Sequence, residues 1–453
     1  MTPVLHPVDA GTPAVILKFD PNVMHHGGLG VIRSLGRAGV PVYAVHEDKL
    51  APAASSRYLR GRVLWRPDAA DVDRVLAGLA RLAEIIGRPA VLFPTDDAGA
   101  IFLAEHGREL RPAFLFPDLP ADLPRRLAGK HSLHEVCREF GVASPRTTLP
   151  GSLAQAREFA DAAGYPVVAK LTDPWHAHGS GLRSTQVIAD QRQLDRVYDA
   201  CGRAGAGLML QEFIPGGHGH DWFFHGYCDA DSTCRPAFTG VKVRSYPSGA
   251  GLTSFGRSAP NAALRAEITG LLTRLGYRGV LDLDIRLDGR DGRYHLLDFN
   301  PRLGAQFRLF RDTAGTDVAL AAYLDLTGQP VPPADQVDGR SFVVENYDPV
   351  SALRRWRAGE LGWRSWLASV RAADEWAWFA RDDLRPFGLM CVRVGWRALT
   401  RRIPRSPAGQ PPRTAARDPR YRPGRAAGRL VSRPAAQRAG ATTSPLAQGG
   451  TRS

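Results

Sequence analysis

Long apolar runs and paired cysteines are missing from this 453-residue sequence, and both absences exclude classes of protein. No run of about 18 apolar residues occurs, which argues against a membrane-spanning helix. The five cysteines contain no Cys-x-x-Cys pair, which argues against a disulfide framework or a zinc site. Because residues 1–15 also lack the pattern of a signal peptide, we expect a protein of the reducing cytoplasm.

Lysine is the scarcest charged residue. The chain has 54 arginines but only five lysines, namely Lys18, Lys49, Lys130, Lys170 and Lys242. Arginine evidently serves wherever a surface charge alone is needed. A retained lysine therefore indicates a position that requires a compact ammonium group rather than a planar guanidinium.

The C-terminal segment accounts for most of the positive charge. Residues 404–453 contain ten arginines and one acidic residue, so they carry +9 of the net charge of +14. The segment has too few large apolar residues to bury a core, and we expect a disordered basic tail over residues 403–453. A solvated tail and an arm that contacts nucleic acid or anionic lipid are the two interpretations.

Strands and helices alternate over the first 128 residues. Apolar segments that read as strands lie at 14–19, 41–45 and 90–93, and a helix is expected over 71–87. This alternation predicts a parallel sheet, in which ligands bind at the carboxyl ends of the strands. Two segments lie at such ends, the glycine-rich turn 27–30 and the segment 95–97.

The glycine-rich turn leaves a second interpretation open. Gly28 and Gly30 match the start of a dinucleotide-binding fingerprint, and Glu47 or Asp48 follows about twenty residues later. Position 33, where the fingerprint requires glycine, is Arg33. A nicotinamide or flavin cofactor is thus one alternative, and a tight strand-to-helix turn is the other.

The sequence changes character from residue 130, where strands and helices suggest α+β sheets. Residues 280–302 read as a β-hairpin whose turn, 288–292, is rich in Asp and Gly. Asp298, Asn300 and Arg302 alternate along the second strand and should project from one face. Asp284 on the first strand can meet them, whereas Asp282 is expected to face solvent or the turn.

These segments, in this order, resemble the ATP-grasp superfamily. Residues 130–328 resemble an ATP-grasp domain, residues 14–128 resemble the domain that usually precedes it, and carboxylate–amine ligases of the D-aspartate ligase type are the most similar group. The resemblance implies an α/β and α+β protein. We expect a Rossmann-like pre-ATP-grasp domain (1–128), an ATP-grasp domain of two α+β subdomains (129–330), a Trp/Arg-rich helical region (331–402) and the tail (403–453).

The resemblance also implies roles for the hairpin residues. Asp284 and Asp298, with Asn300 beside them, would bind magnesium or manganese, for which carboxylate and amide oxygens are suitable ligands. The superfamily commonly has glutamate at the first two positions. Arg302 would stabilise the negative charge that develops on phosphoryl and carboxyl oxygens.

The remaining implied site residues would bind ATP. Lys130 and Lys170 would reach the phosphates, and Lys242 and Arg244, expected on one strand face, would act at the triphosphate or acylphosphate. The loop with His176 and His178, each either solvated or a ligand contact, would cover the phosphates. The nucleotide-binding set inferred in this way is Lys130, Lys170, Gly179, Ser180, Gly181, Gln211, Glu212, Phe213, Ile214 and Asp221.

Tryptophan is concentrated near the C-terminus. Six of the nine tryptophans lie between residues 341 and 402, at positions 356, 363, 366, 376, 378 and 396, interleaved with arginines. A helical subdomain packed on the core is one interpretation. Helices that lie at a membrane interface are a second, and stacking on nucleic acid bases is a third.

The sequence therefore predicts an ATP- and magnesium-dependent ligase that phosphorylates a carboxylate and joins it to an amine or similar nucleophile. Its expected partners are a small-molecule carboxylate and an amine-type acceptor. The alternative is a non-catalytic or phosphotransferase ATP-grasp protein, directed to a membrane or polyanion by its C-terminus. Under either hypothesis we expect a cytoplasmic protein, with peripheral contact to the inner membrane face as a variant.

Overall fold

The computed structural model describes residues 7–172, 182, 185–217, 219–246, 251–400 and 430–432. Within these ranges the chain forms three β-sheets and thirteen α-helices. No helix among them is long and apolar enough to cross a membrane.

The first sheet belongs to the N-terminal part of the chain. Its strands are β1 (Ala14–Leu17), β2 (Val42–His46), β3 (Leu59–Leu64), β4 (Ala90–Pro94) and β5 (Phe114–Leu115). They are parallel and lie in the order β3-β2-β1-β4-β5. The accompanying helices are α1 (Gly27–Arg37), α2 (Val72–Ile86), α3 (Asp97–Glu105), α4 (Gly107–Leu110) and α5 (Leu123–Ala128). The prediction of a parallel sheet from alternating elements is confirmed.

The second sheet is small and antiparallel. Its order is β6-β9-β7-β8, built from β6 (Thr147–Thr148), β7 (Val167–Leu171), β8 (Thr185–Ile188) and β9 (Leu208–Glu212). The helices of this part are α6 (Lys130–Glu139), α7 (Leu153–Ala163) and α8 (Gln191–Ala204). Ser152 and Asp190 cap α7 and α8, because each side chain accepts a hydrogen bond from a backbone N–H of the first turn.

The third sheet contains the predicted hairpin. Its strands are β10 (Asp221–Cys228), β11 (Cys234–Tyr246), β12 (Leu252–Ser258), β13 (Gly279–Leu287), β14 (Tyr294–Asn300), β15 (Ser341–Val343) and β16 (Glu375–Trp376). They lie in the order β14-β13-β10-β11-β12-β15-β16. The helices are α9 (Ala262–Leu275), α10 (Val318–Leu326), α11 (Asp348–Arg357), α12 (Trp363–Arg371) and α13 (Arg385–Thr400).

The Trp/Arg-rich region is helical, as expected, but it also contributes β15 and β16 to the third sheet. Trp378 is fully buried in the main apolar core, whereas Trp356, Trp363 and Trp396 are exposed. Packing on the core thus explains only part of the tryptophan enrichment.

The prediction of a tail without structure is wrong at three residues. Leu430–Ser432 form a strand, β17, that pairs antiparallel with β3 at the edge of the first sheet. An edge strand offers unpaired backbone groups, and a short extended segment satisfies them whatever its side chains are. The other residues beyond 400 lie outside the described ranges.

The glycine-rich turn is a packing feature. A Cβ atom on Gly27 would lie 3.2 Å from the Cα atom of Ala305, and one on Gly30 would lie 2.8 Å from Phe307 Cε1. Both glycines let the chain after β14 approach the start of α1, and Leu29 and Phe307 join one apolar core. This contact favours the interpretation as a tight strand-to-helix turn over a dinucleotide fingerprint.

Candidate active site

Four polar residues of the β13–β14 hairpin, three of them aspartates, form one acidic patch. Asp284 lies opposite Asp298 in the antiparallel register, and Asp282 lies opposite Asn300. Directly opposed residues of antiparallel strands project to the same side of a sheet. The hairpin and the meeting of Asp284 with Asp298, both expected from sequence, are thus present in the structure.

Each of the two expected metal-ligand carboxylates is paired with a lysine. Lys242 Nζ lies 3.0 Å from Asp284 Oδ1, and its ammonium group stands over the Phe223 ring, 5.4 Å from the centroid. Lys130, the first residue of α6, donates to Asp298. Lysines that are distant in sequence therefore converge on the acidic patch from a strand and from a helix start.

Lys170 approaches the same place from the second sheet. Burial and the nearby charge of Lys130 together lower the pKa of Lys170 to about 7, against the opposing effect of Asp284. Burial also lowers the pKa of Lys130, against the attraction of Asp97 and Asp284. Because crowding ammonium groups in a buried place is unfavourable, this arrangement is suited to receive an anion.

Arg302 bridges two carboxylates at the end of the hairpin. Its Nη1 lies 3.0 Å from Asp282 Oδ2, and its Nε lies 3.2 Å from Asp97 Oδ1. Asp97 is the first residue of α3, at the carboxyl edge of the parallel sheet. The guanidinium group is thus fixed where the first and third sheets meet.

Asp282 is buried, so the expectation of a solvent- or turn-facing acid is wrong. His225 Nε2 lies 3.1 Å from Asp282 Oδ1, and Asn300 Nδ2 donates to the Asp282 carbonyl oxygen at 3.0 Å. Burial acts to raise the pKa of Asp282, but His225, Arg302 and Lys242 outweigh it and hold this pKa below its ordinary value. Asp282 therefore stays ionised against Arg302.

The donor set fits a hard divalent cation. Asp284 and Asp298 supply carboxylate oxygens on one face, and the amide nitrogen of Asn300 is already used, which leaves its oxygen as the ligand atom. All three donors are oxygens, which suits magnesium or manganese better than a thiophilic metal. The ammonium groups of Lys130 and Lys242 compensate the carboxylate charges in this structure.

Arg244 does not share a face with Lys242, and that prediction is wrong. The β11–β12 register shifts between the two residues, so a bulge interrupts the alternation. Arg244 is buried and donates to both oxygens of Asp348, at 2.8 and 2.9 Å, away from the acidic patch. It holds α11 against the sheet, and we remove it from the candidate catalytic set.

The expected adenine hinge lies at the end of β9. Gln211 is buried and donates to Thr147 Oγ1 at 3.2 Å. Glu212 is paired with Arg146 at 3.2 Å and with Arg290 at 3.0 Å, in the wall of a groove of about 570 Å³. Burial acts to raise the pKa of Glu212, but the bonds from Arg146 and Arg290 keep it lowered.

The hinge is also tied to the third sheet. Arg286 donates to Asp221 at 2.6 Å and to the carbonyl oxygen of Ile214 at 3.1 Å. Ile214 is buried and Phe213 is partly exposed. Asp221 and the hinge are therefore linked through one guanidinium group. The expected lid residues Gly179, Ser180 and Gly181, together with His176 and His178, lie outside the described residues.

Three residues of the site had no role assigned from sequence. Asp97 was placed at the carboxyl edge of the sheet by the strand pattern, but nothing indicated its partner Arg302. His225 is a lone histidine in a strand and gives no local signal. His25 lies in the glycine-rich turn, where burial, with Arg302 and Lys18 nearby, lowers its pKa to about 3 and keeps its imidazole neutral.

Known proteins resemble this chain in sequence and in fold. No family model matches it. The D-aspartate ligase of Enterococcus faecium (strain Aus0004) is 25% identical over 307 residues, which cover 64% of this chain and 71% of that protein.

Solved structures agree at lower identity. The N5-carboxyaminoimidazole synthetase of Staphylococcus aureus superposes with a TM-score of 0.54 at 10% identity, over 75% of this chain and 83% of that one. The biotin carboxylase domain of 2-oxoglutarate carboxylase from Hydrogenobacter thermophilus, solved with MgADP, ADP and bicarbonate, gives 0.51 at 16% identity, over 71% of each chain.

These neighbours are ATP-grasp enzymes, and each superposes on this protein over more than two thirds of its length. The chain therefore has the ATP-grasp fold, and in sequence it resembles a D-aspartate ligase.

Proposed function

We propose that this protein is an ATP- and magnesium-dependent ligase that phosphorylates a carboxylate to an acylphosphate and joins it to an amine or similar nucleophile. One observation carries the proposal. The two carboxylates of the hairpin, Asp284 and Asp298, each meet a lysine, and Arg302 is fixed beside them. Phosphoryl transfer requires carboxylates that hold a metal ion, next to positively charged side chains that hold phosphate.

In this proposal, Asp284, Asp298 and Asn300 would hold magnesium, which when bound would neutralise negative charge on the phosphate. Lys130, Lys170 and Lys242 bind the phosphates of ATP. These residues lie on three separate elements, α6, β7 and β11. Closure of the two antiparallel sheets around one ligand would let all three lysines contact it. The neighbour solved with MgADP supports ATP and magnesium as ligands.

The adenine and sugar are assigned to the hinge. Backbone groups of residues 211–214 would read the adenine edge, and Glu212 and Asp221 would lie toward the sugar. Both carboxylates are paired with arginines here, so a sugar hydroxyl would have to share or displace those bonds. Gly179, Ser180 and Gly181 complete the proposal as the phosphate-covering loop, on sequence alone.

Arg302 would stabilise the carboxyl and phosphoryl oxygens as charge develops. The Asp282 and Asp97 carboxylates orient its guanidinium group before any substrate arrives. A donor that is already oriented needs no reorganisation during the reaction, which is where electrostatic stabilisation is most effective. The proposed domain division, 1–128, 129–330 and 331–402, places Asp97 and Arg302 on opposite sides of the first boundary.

Two other functions remain to be separated from ligation. A non-catalytic ATP-grasp protein would have no need to keep both acids, Asn300, Arg302 and three lysines together, so we favour catalysis. A phosphotransferase would share the activation step and differ in its final product. The name of the relative in Enterococcus faecium makes D-aspartate the first carboxylate to test.

The test is ATP turnover with pools of amino acids and carboxylic acids, followed by mass spectrometry of the products. A ligase gives ADP, phosphate and a condensed product, and hydroxylamine added without acceptor gives the hydroxamate of the activated acid. A stable phosphorylated product would instead indicate a phosphotransferase. No ATP consumption above that of the Asp298→Asn variant with any pool would refute catalysis.

A further inference from the structure

In the part of the chain that the structure describes, the outer half of helix α13, residues 391–400, leaves large apolar side chains exposed. The inner half is anchored, because Met390 is 3% exposed and Phe387 packs against the main core. Arg393 adds an ion pair with Asp48 of the first domain. Beyond these contacts Val392, Trp396 and Leu399 are 66%, 68% and 62% exposed. Large apolar side chains grouped in this way commonly mark an interaction site.

The spacing places these three residues along one side of the helix. Val392, Trp396 and Leu399 are separated by four and three residues, which corresponds to one stripe on an α-helix. Arg397 follows Trp396 and is also exposed. An apolar stripe that contains tryptophan and is flanked by arginine is the pattern of a helix that lies in a membrane–water interface.

The charged residues of the helix itself have a single sign. Helix α13 contains Arg385, Arg393 and Arg397 and no aspartate or glutamate, and Arg393 is paired with Asp48. A second copy of this surface would bring arginine against arginine, which opposes self-association through it. A nucleic acid would satisfy the arginines but would leave the apolar stripe in water. An anionic lipid surface satisfies both, because its headgroups attract arginine and its acyl boundary buries the apolar side chains.

We propose that the outer half of α13, residues 391–400, docks onto an anionic lipid surface. The helix lies along the surface with Val392, Trp396 and Leu399 inserted at the acyl boundary, and the arginines contact the headgroups. This attachment is independent of the ligase chemistry, since Lys130, Lys170 and the hairpin acids belong to other elements.

The experiment is flotation of the full chain with vesicles of phosphatidylcholine, alone or mixed with phosphatidylglycerol. It compares the unaltered protein with Trp396→Glu and with the matched control Leu149→Glu, whose side chain is 48% exposed on a different part of the molecule. Measurements at low and high salt separate the basic tail from the stripe, because salt screens charge attraction and leaves apolar insertion in place.

We expect binding to the anionic vesicles to exceed binding to neutral ones. Trp396→Glu should weaken it by about tenfold or more at both salt concentrations, because a carboxylate replaces the inserted ring, and Leu149→Glu should leave it unchanged. Circular dichroism melting of both variants checks that the fold is retained.

Equal binding by Trp396→Glu, equal binding to neutral vesicles, or no binding to any vesicle would overturn the proposal. A dimer that Trp396→Glu disrupts, or binding to DNA or RNA in place of lipid, would overturn it in favour of another partner.

Discussion

The Nε2 atom of His225 lies 3.1 Å from Asp282 Oδ1, and the other carboxylate oxygen of Asp282 lies 3.0 Å from Arg302 Nη1. His225 is fully buried, and a Cβ atom on Gly304 would lie 2.3 Å from its Cε1 atom, so glycine at position 304 lets the chain pack against the imidazole. The three residues form a chain that ends at the proposed active site. We therefore propose that Asp282, with His225 behind it, positions Arg302.

Asp282→Asn should lower kcat by about tenfold or more, equivalent to ~1.4 kcal/mol in the barrier, and should change KM for ATP less. The amide keeps the shape but loses the charge that orients Arg302, whereas the lysines proposed to bind ATP stay in place. Steady-state kinetics of the folded fraction give the two parameters.

A matched control separates positioning from stability. Asp383 is also buried and also holds an arginine, Arg33, at 3.1 Å, but this pair lies between α1 and the C-terminal region. Asp383→Asn should lower the free energy of unfolding without lowering kcat of the folded molecules. Equal losses of kcat in the two variants would show that Asp282 has only a structural role.

Asp298→Asn should abolish ATP turnover while the protein stays folded. The change removes a negative oxygen from the proposed metal site and the partner of Lys130, and it costs several kcal/mol of charge stabilisation in the transition state. Turnover measured against magnesium and manganese concentration checks this. Asp291→Asn, in the exposed turn of the same hairpin, is the control and should remain active. Near-normal turnover of Asp298→Asn would remove this residue from the metal site.

The hairpin shows how far sequence reasoning reaches. Period-two alternation and a turn rich in Asp and Gly were sufficient to place Asp284 opposite Asp298, because both signals are local. The prediction that Arg244 shares a face with Lys242 was wrong because it also relied on a local signal alone. A bulge adds one residue to the strand, and no residue type in β11 indicates where it lies. Strict alternation therefore assigned Arg244 to the wrong face.

Partners that come from distant segments were not predictable. His225, Asp97 and Arg302 lie on three separate segments. Only the packed fold brings His225 to Asp282, and Arg302 to both Asp282 and Asp97. The short strand Leu430–Ser432 is similar, because its pairing with β3 depends on a free sheet edge and not on its own sequence. Lysine scarcity was more informative, since three of the five lysines, Lys130, Lys170 and Lys242, lie at the acidic patch or close to it.

Lys170→Arg should be severely impaired although it keeps a positive charge. The ammonium group is compact, and the planar guanidinium that replaces it is larger in a place that is already buried and crowded by Lys130. ATP turnover of the variant should fall by at least about tenfold. Lys49→Arg, at an exposed position, is the control. Full activity of Lys170→Arg would show that a charge alone is sufficient there.

Nucleotide binding should be coupled to proton uptake at Lys170. Its pKa is lowered from 10.5 to about 7, so between these values the unfolded chain binds more protons than the folded one. Lys170 therefore destabilises the folded chain fully below about pH 7. This destabilisation diminishes as the pH rises from there to 10.5. A bound phosphate anion should raise this pKa and draw a proton from solution.

Calorimetric titration of ADP at about pH 8, in buffers of different ionisation enthalpy, measures that proton. We expect uptake approaching about one proton per nucleotide in the unaltered protein. Lys170→Met should remove most of it, and Lys49→Met should not. The same uptake in Lys170→Met would assign the proton to another group.

Removal of residues 404–453 should leave ATP turnover intact. The segment carries +9 of the net charge of +14, so the shortened chain keeps +5. Its one described contact is the edge pairing of Leu430–Ser432 with β3, and β3 supplies none of the proposed site residues.

Adsorption to anionic vesicles or nucleic acid at low salt should weaken, and this difference should shrink as salt rises, because the lost attraction is electrostatic. Docking through Trp396 should persist, because α13 ends at Thr400. Steady-state ATP turnover, measured alongside vesicle and nucleic-acid binding, tests both statements. A loss of activity beyond about tenfold, equivalent to ~1.4 kcal/mol in the barrier, would place the tail in contact with the active site and move the proposed boundary at residue 403.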